Sequence, residues 1–253
     1  MQIRLRIPAK INLSLDMTGK RADGYHTLRS VFQAIGCYDI LMLTKTDAHT
    51  PFSLTCSEPE IPCDARNLVW KAAEKLLGAQ PAGLRAHLEK RIPSQAGMGG
   101  GSADATFMLM ALNRLFHLQL TTDRLEQLAA MLGSDCPFFV RNEPVYATGR
   151  GFDFHPLDIR LKGYTLVLVK PDEQVSTRDA YRHVTPRRPV RNLADIVMHE
   201  PVSAWRDLIA NDFEPSVFAS HPLIQHIKQQ LYQLGAVYAS MSGSGASVYG
   251  LFE

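Results

Sequence analysis

The chain has 253 residues, 45% of them hydrophobic and 21% charged; this balance excludes intrinsic disorder and supports one large domain or two smaller ones. Lys and Arg number 27 against 25 Asp and Glu, a net charge of +2, too small for a nucleic-acid or anionic-membrane footprint, so neither is expected as a partner. No apolar run reaches the ~18–20 residues of a bilayer span. The cysteines Cys37, Cys56, Cys63 and Cys136 show no CxxC spacing, which points to a reducing, cytoplasmic compartment and no structural metal.

From Ile3 to Leu15 the odd positions are apolar and the even ones carry Arg4, Arg6, Pro8, Lys10, Asn12 and Ser14. That alternation predicts a strand, with Pro8 breaking it into two pieces. Lys10 and Asn12 share the polar face, as a solvated pair or a functional one. Asp23-Gly24 signals a tight turn, and Tyr25-His26 leave it either as hairpin packing or as a ring and imidazole suited to a flat base. Strand-like runs follow between Val31 and Thr46. The stretch from Asn67 to Gly78 has helical spacing and a glycine stop. Leu84 to Ile92 alternates again and carries Lys90 into a glycine-rich loop.

That loop reads Pro93-Ser94-Gln95-Ala96-Gly97-Met98-Gly99-Gly100-Gly101-Ser102-Ala103, and the apolar segment after it, Ala105 to Phe116, predicts a buried helix. Glycine amides can approach an oxyanion closely. A helix starting at Ser102 or just after adds unpaired N–H groups and the positive end of its dipole. Both suit a phosphate, and a flexible turn would have the same composition. No Lys follows the glycines as a Walker A loop needs, and Ser102 replaces the third glycine of the dinucleotide fingerprint. Protein-kinase signatures are missing as well.

A further helix is expected from Thr122-Asp123, with Glu126 placed for a capping box if Asp123 is the cap. Gly133-Ser134-Asp135 then runs into Cys136-Pro137-Phe138-Phe139, which sets a carboxylate at the mouth of an apolar region, as a cap or as a site group. The Gly-rich stretch Tyr146 to Gly151 suggests a domain junction. Tyr164 to Val169 reads as a buried strand, and Ser176 opens a helix carrying Tyr181. Pro222 opens another helix, ended by Gly235. Two strands joined by the tight loop Ser242-Gly243-Ser244-Gly245 close the chain.

Three of these stretches, in this order, resemble the motifs of the GHMP kinases: Pro8-Ala9-Lys10-Ile11-Asn12-Leu13, the loop from Pro93 to Ala103, and Met241-Ser242-Gly243-Ser244-Gly245-Ala246. Asp23-Gly24-Tyr25-His26 and Gly133-Ser134-Asp135 are similar to motifs of the branch acting on a cytidine-diphosphate-linked polyol. Two positions depart from the pattern: Cys136 stands where Val or Ile is more usual, and Gly149-Arg150-Gly151-Phe152 where Gly-x-Gly-Glu is commoner.

The resemblance implies an α+β, two-domain fold: a ribosomal protein S5 domain 2-like N-terminal domain over residues 1–150 and a ferredoxin-like C-terminal domain over 151–253, with the active site in the cleft between them. It implies transfer of a phosphoryl group from ATP, with Mg²⁺ carried by ATP and no metal held by the protein, to a small-molecule acceptor. Lys10 and Asp135 would be catalytic, Lys10 neutralising developing charge and Asp135 accepting the hydroxyl proton or orienting the hydroxyl. Residues 93–103 would bind the ATP phosphates, and Asn67 and Lys90 the adenosine. Asn12, Tyr25 and His26 would bind the acceptor, with Tyr181 as a second ring around its base. A homoserine or mevalonate-branch kinase and a catalytically silent nucleotide-binding protein are the alternatives.

Overall fold

The computed structural model describes residues 2–159, 161–186 and 191–253. The chain packs as two compact units interleaved in sequence. The first comprises Met1–Ala9, Ala34–Ser94 and Gly99–Asn142, the second Lys10–Gln33, Gln95–Met98 and Glu143–Glu253. Two long strands, β1 (Gln2–Lys20) and β2 (His26–Lys45), contribute residues to both. β1 is continuous, not two pieces. In the sheet it pairs with β2, so Pro8 lies on an edge strand, where a missing N–H breaks no ladder.

In the first unit, β3 (Ser53–Cys56) runs parallel to β4 (Leu84–Glu89), and β4 pairs antiparallel with Ile40–Lys45 of β2. Alternation along β4 buries Leu84, Ala86 and Leu88. Between these strands α1 (Leu68–Leu77) is capped by Asn67 and stopped by Gly78 at φ 88°, as its sequence signals require. α2 (Gly100–Leu115) packs on α1 and buries residues all round, among them Met108, Leu109 and Leu112. Truncating one such leucine to Ala costs about 2–5 kcal/mol.

α3 (Thr122–Ala130) is capped by Thr121, whose hydroxyl accepts from the Arg124 N–H, and not by Asp123. Asp123 and Glu126 turn instead to Arg141, at the end of α4 (Phe138–Arg141), at 3.2 and 2.6 Å.

In the second unit, residues 30–32 of β2 pair with β5 (Val145–Thr148), and β5 with β6 (Asp153–Pro156). A separate antiparallel sheet has the order β7 (Thr165–Val169), β9 (Val248–Phe252), β8 (Tyr238–Met241). β7 is only partly buried, less than its apolar sequence suggests. The helices are α5 (Thr177–His183), α6 (Leu193–His199), α7 (Trp205–Leu208), α8 (Glu214–Ser220) and α9 (Pro222–Gln233). α9 packs on β8 and β9 through Ile224 and Leu231, joining a core with Phe213, Val217, Met241 and Val248. Among the described residues, no helix is long and apolar enough to cross a membrane.

Candidate active site

In the first unit the glycine loop ends as a helix N-terminus. Gly99 takes the left-handed conformation (φ 67°) and offers no capping side chain, and the first turn of α2 holds no acidic residue. The helix begins at Gly100, two residues ahead of Ser102, because glycine supplies the left-handed cap at position 99. Its first amides therefore combine lone N–H groups with the positive end of a four-turn helix. A Cβ on Gly101 would meet nothing within 4 Å, whereas one on Gly100 would press on Ile92 at 3.0 Å.

The turn bearing Asp135 is fastened to this same helix end. The Thr106 hydroxyl lies 2.9 Å from the Ser102 carbonyl and 2.8 Å from that of Cys136. Within the turn, a Cβ on Gly133 would stand 3.2 Å from Cys136 Sγ, a tight contact that glycine avoids. Cys136 is buried, and burial pushes its thiol up to about 11, so it serves as packing. Asp135 itself is half-buried. It does not cap α4, which follows Pro137 without a side-chain cap.

Lys90 and Asn67 are engaged within the same unit. The Lys90 ammonium sits between the carboxylates of Asp39 and Asp104, the latter at 2.8 Å. Asp39 Oδ1 also accepts the N–H groups of Arg91 and Ile92 at 2.6 and 2.8 Å. Asp104 Oδ1 is buried without a hydrogen-bond partner among the described residues. Burial, opposed by Lys90, drives the Asp104 carboxyl up to about 7. For Lys90, burial works downward, but the two carboxylates outweigh it and raise its pKa. Asn67 accepts from the Val69 N–H and donates to the Pro62 carbonyl, both at 2.8 Å.

In the second unit the predicted polar face of β1 is buried. Lys10 is 4% exposed and Asn12 1%. Lys10 Nζ donates to Asn12 Oδ1 at 2.7 Å and lies 4.7 Å from the Phe32 ring centre. Asn12 Nδ2 donates to Ser30 Oγ at 2.8 Å. A buried ammonium held this way is oriented at little further entropic cost. The loop segment Gln95–Met98 adjoins it: the Met98 carbonyl accepts the Lys10 N–H at 3.0 Å, and the Gly97 carbonyl accepts from Ser242 Oγ at 2.8 Å. Ser242 Oγ in turn accepts the Asn12 N–H at 3.2 Å. One serine hydroxyl thus joins all three motif stretches.

Residues that stood out in no motif hold this arrangement. Asn211 Nδ2 donates to the carbonyls of Met241 and Gly243, both at 2.8 Å, and Glu214 accepts the Met241 N–H at 2.9 Å. In sequence, Asn211 looks like any residue ahead of a helix. Asp104, an acid inside an apolar helix, did carry a signal, because a buried charge there demands a cation. In the second unit, Tyr25 is 60% exposed. The His26 ring lies 5.6 Å from that of Tyr181, which meets Phe213 edge-on at 4.8 Å.

The helix start in the first unit fits a phosphate, with glycine amides at Gly100 and Gly101 and no competing carboxylate in its first turn. Among the described residues, no group of three or more His, Cys, Asp or Glu could hold a metal ion.

This loop architecture on an α+β frame defines a small-molecule phosphotransferase. Residues 67–143 match the GHMP kinases N terminal domain and 198–253 the GHMP kinases C terminal domain. The chain belongs to the GHMP kinases, phosphotransferases with an alcohol group as acceptor. It is 50% identical over 250 residues to a 4-diphosphocytidyl-2-C-methyl-D-erythritol kinase of Bacteroides fragilis, covering 97% of this chain and 90% of that one. It is 49% identical to the protein of the same name from Parabacteroides distasonis, with the same coverage. Among solved structures it resembles a crystal structure of 4-(cytidine 5'-diphospho)-2C-methyl-D-erythritol kinase, with a TM-score of 0.81, 32% identity, and coverage of 98% and 90%.

Proposed function

We propose that this chain transfers the γ-phosphate of ATP to the 2-hydroxyl of 4-diphosphocytidyl-2-C-methyl-D-erythritol, a step of the non-mevalonate route to isoprenoid precursors, in the cytoplasm. The observation that carries the acceptor assignment is the exposed Tyr25 beside the His26–Tyr181 ring pair. Such rings grip a nucleobase and have no counterpart on a small base-free alcohol. The similarity to relatives named for that substrate supports the same reading.

ATP supplies the phosphoryl group and Mg²⁺ the charge that screens its oxygens. The rest falls to side chains and amides of this chain. The loop from Pro93 to Ala103 binds the phosphates, with the N–H groups of Gly100, Gly101 and Ser102 as the strongest donors. Lys10, fixed by Asn12, neutralises charge that builds on the transferred group. Asp135 orients the attacking hydroxyl and takes its proton as transfer completes. Tyr25, His26 and Tyr181 hold the base. Lys90 and Asn67 act on the adenosine side. Residues 1–150 and 151–253 are assigned to the N- and C-terminal domains, a reading supported by the family matches at 67–143 and 198–253.

The test is transfer from labelled ATP to a panel of acceptors: the diphosphocytidyl polyol, homoserine, mevalonate and galactose. Labelling of the first supports the proposal. Labelling of another acceptor, or of none, overturns it.

A further inference from the structure

We propose that Arg150 is an acceptor-binding residue whose guanidinium, set over the rings of Tyr25 and Phe152, takes a phosphate of the acceptor's diphosphate. The inference rests on the acceptor assignment above and adds a contact to it. The guanidinium carbon lies 4.8 Å from the Tyr25 ring centre and 5.6 Å from that of Phe152. Both rings are open to solvent, at 60% and 39% exposure. A cation held over a ring by its charge keeps its N–H groups available to a further partner. No described residue takes these groups as a hydrogen-bond or ion-pair partner.

The placement is built in. Arg150 stands on the four-residue turn between β5 and β6, flanked by Gly149 (φ 66°) and Gly151 (φ 93°). The Gly149 carbonyl accepts the Leu28 N–H at 2.8 Å, and the Gly151 N–H donates to Thr148 at 2.9 Å. The turn is therefore tied to β2 two residues beyond His26. At a φ of 66°, position 149 favours glycine, and a Cβ there would also displace the Asp153 carboxylate.

The chemistry of the surroundings selects an anion. Asp23, an acid whose charge Arg150 feels, is already held by Arg21 at 3.0 Å and by the Tyr25 N–H at 3.1 Å. Position 152 holds Phe where the resembling motif more often has Glu. A carboxylate there would occupy the arginine fork, whereas Phe152 leaves it open and adds a second ring. An arginine fork ordered by two rings and lacking an acid suits bidentate binding of phosphate.

Calorimetric titration of the full chain with cytidine diphosphate and with cytidine tests this, using the wild type, Arg150→Ala and Arg150→Lys. Arg150→Ala is expected to weaken cytidine diphosphate about tenfold or more and to leave cytidine within about twofold, as loss of one charge-assisted contact requires. Arg150→Lys should recover part of the loss. Equal weakening of both ligands would reduce Arg150 to ordering Tyr25 and overturn the proposal, as would no weakening or no binding of cytidine diphosphate by the wild type. If the expected binding pattern holds but no phosphate reaches the diphosphocytidyl polyol, the proposed reaction falls and this inference stands. If transfer occurs and Arg150→Ala changes neither cytidine diphosphate binding nor the acceptor KM, the reverse follows.

Discussion

Gly97 and Ser242, 145 residues apart, meet with no room for a side chain. Ser242 Oγ donates to the Gly97 carbonyl at 2.8 Å, and a Cβ on Gly97 would collide with the Ser242 carbonyl oxygen. Gly97 also has φ 69°, a conformation costing an L-residue about 1–2 kcal/mol. Gly97→Ala must therefore push the two motif loops apart. The expected outcome is a KM for ATP raised about tenfold or more, with a lowered melting temperature. Gly101→Ala is the control, since its Cβ would meet nothing within 4 Å, and it should keep its stability.

The Asp39–Lys90–Asp104 cluster makes stability depend on pH. Burial raises the folded-state pKa of Asp104 from 3.8 to about 7, so between these values the folded chain binds the extra proton. Stability from this group is fully present below about pH 4 and lost as pH rises through about 7. Asp104→Asn, neutral at every pH, removes that slope. Urea unfolding at pH 5 and pH 8 should show the wild type losing about 1–3 kcal/mol more than the variant on going up. Parallel curves would place the proton elsewhere. Lys90→Met, which leaves two buried carboxylates without their cation, should cost about 3–5 kcal/mol.

Much of this site could be read in the sequence because its parts follow local rules. Glycine at a left-handed cap, a helix stop at Gly78 and alternation along β1 and β4 each depend on a few neighbouring residues. Burial of the Lys10–Asn12 face could not be read, because it depends on Ser30 and Ser242, 18 and 230 residues away from Asn12. Alternation marks which residues share a face, not which face meets solvent. The capping box failed for a related reason: Arg141, from a later helix, draws Asp123 and Glu126 outward. Asn211 was invisible because it acts on backbone carbonyls, which leave no pattern in the residues they belong to.

Lys10→Ala and Asp135→Ala test the chemistry. Both residues are assigned to charge that develops in the transition state, so each change should lower kcat by about 10²-fold or more and alter KM for ATP less. Steady-state rates on folded variants decide it. Near-wild-type turnover in either would remove that residue from the catalytic role.

Tyr25→Ala separates recognition from chemistry. An exposed ring that stacks a base contributes to binding throughout the reaction, so its loss raises the acceptor KM and spares kcat. A rise of about tenfold is expected, in line with about 1–3 kcal/mol per stacked base. If KM for the cytidine acceptor stays the same, Tyr25 does not stack it.

Thr106→Val examines how the Asp135 turn is held. Valine keeps the shape and the burial but removes the hydroxyl within reach of the Ser102 and Cys136 carbonyls. One lost buried hydrogen bond costs about 0.5–1.5 kcal/mol of stability, a drop of a few degrees in melting temperature for a chain of this length. The larger effect should fall on rate. Without its tether the turn can drift from the start of α2, and a displacement near 1 Å costs about 10²-fold in a reaction governed by positioning. A kcat reduced about 10- to 100-fold at saturating ATP and acceptor is therefore expected, together with retained ATP affinity, because the loop amides are untouched. Thr106→Ser, which restores the hydroxyl, should recover most of the rate. If Thr106→Val matches the wild type in kcat, Asp135 is held by other contacts.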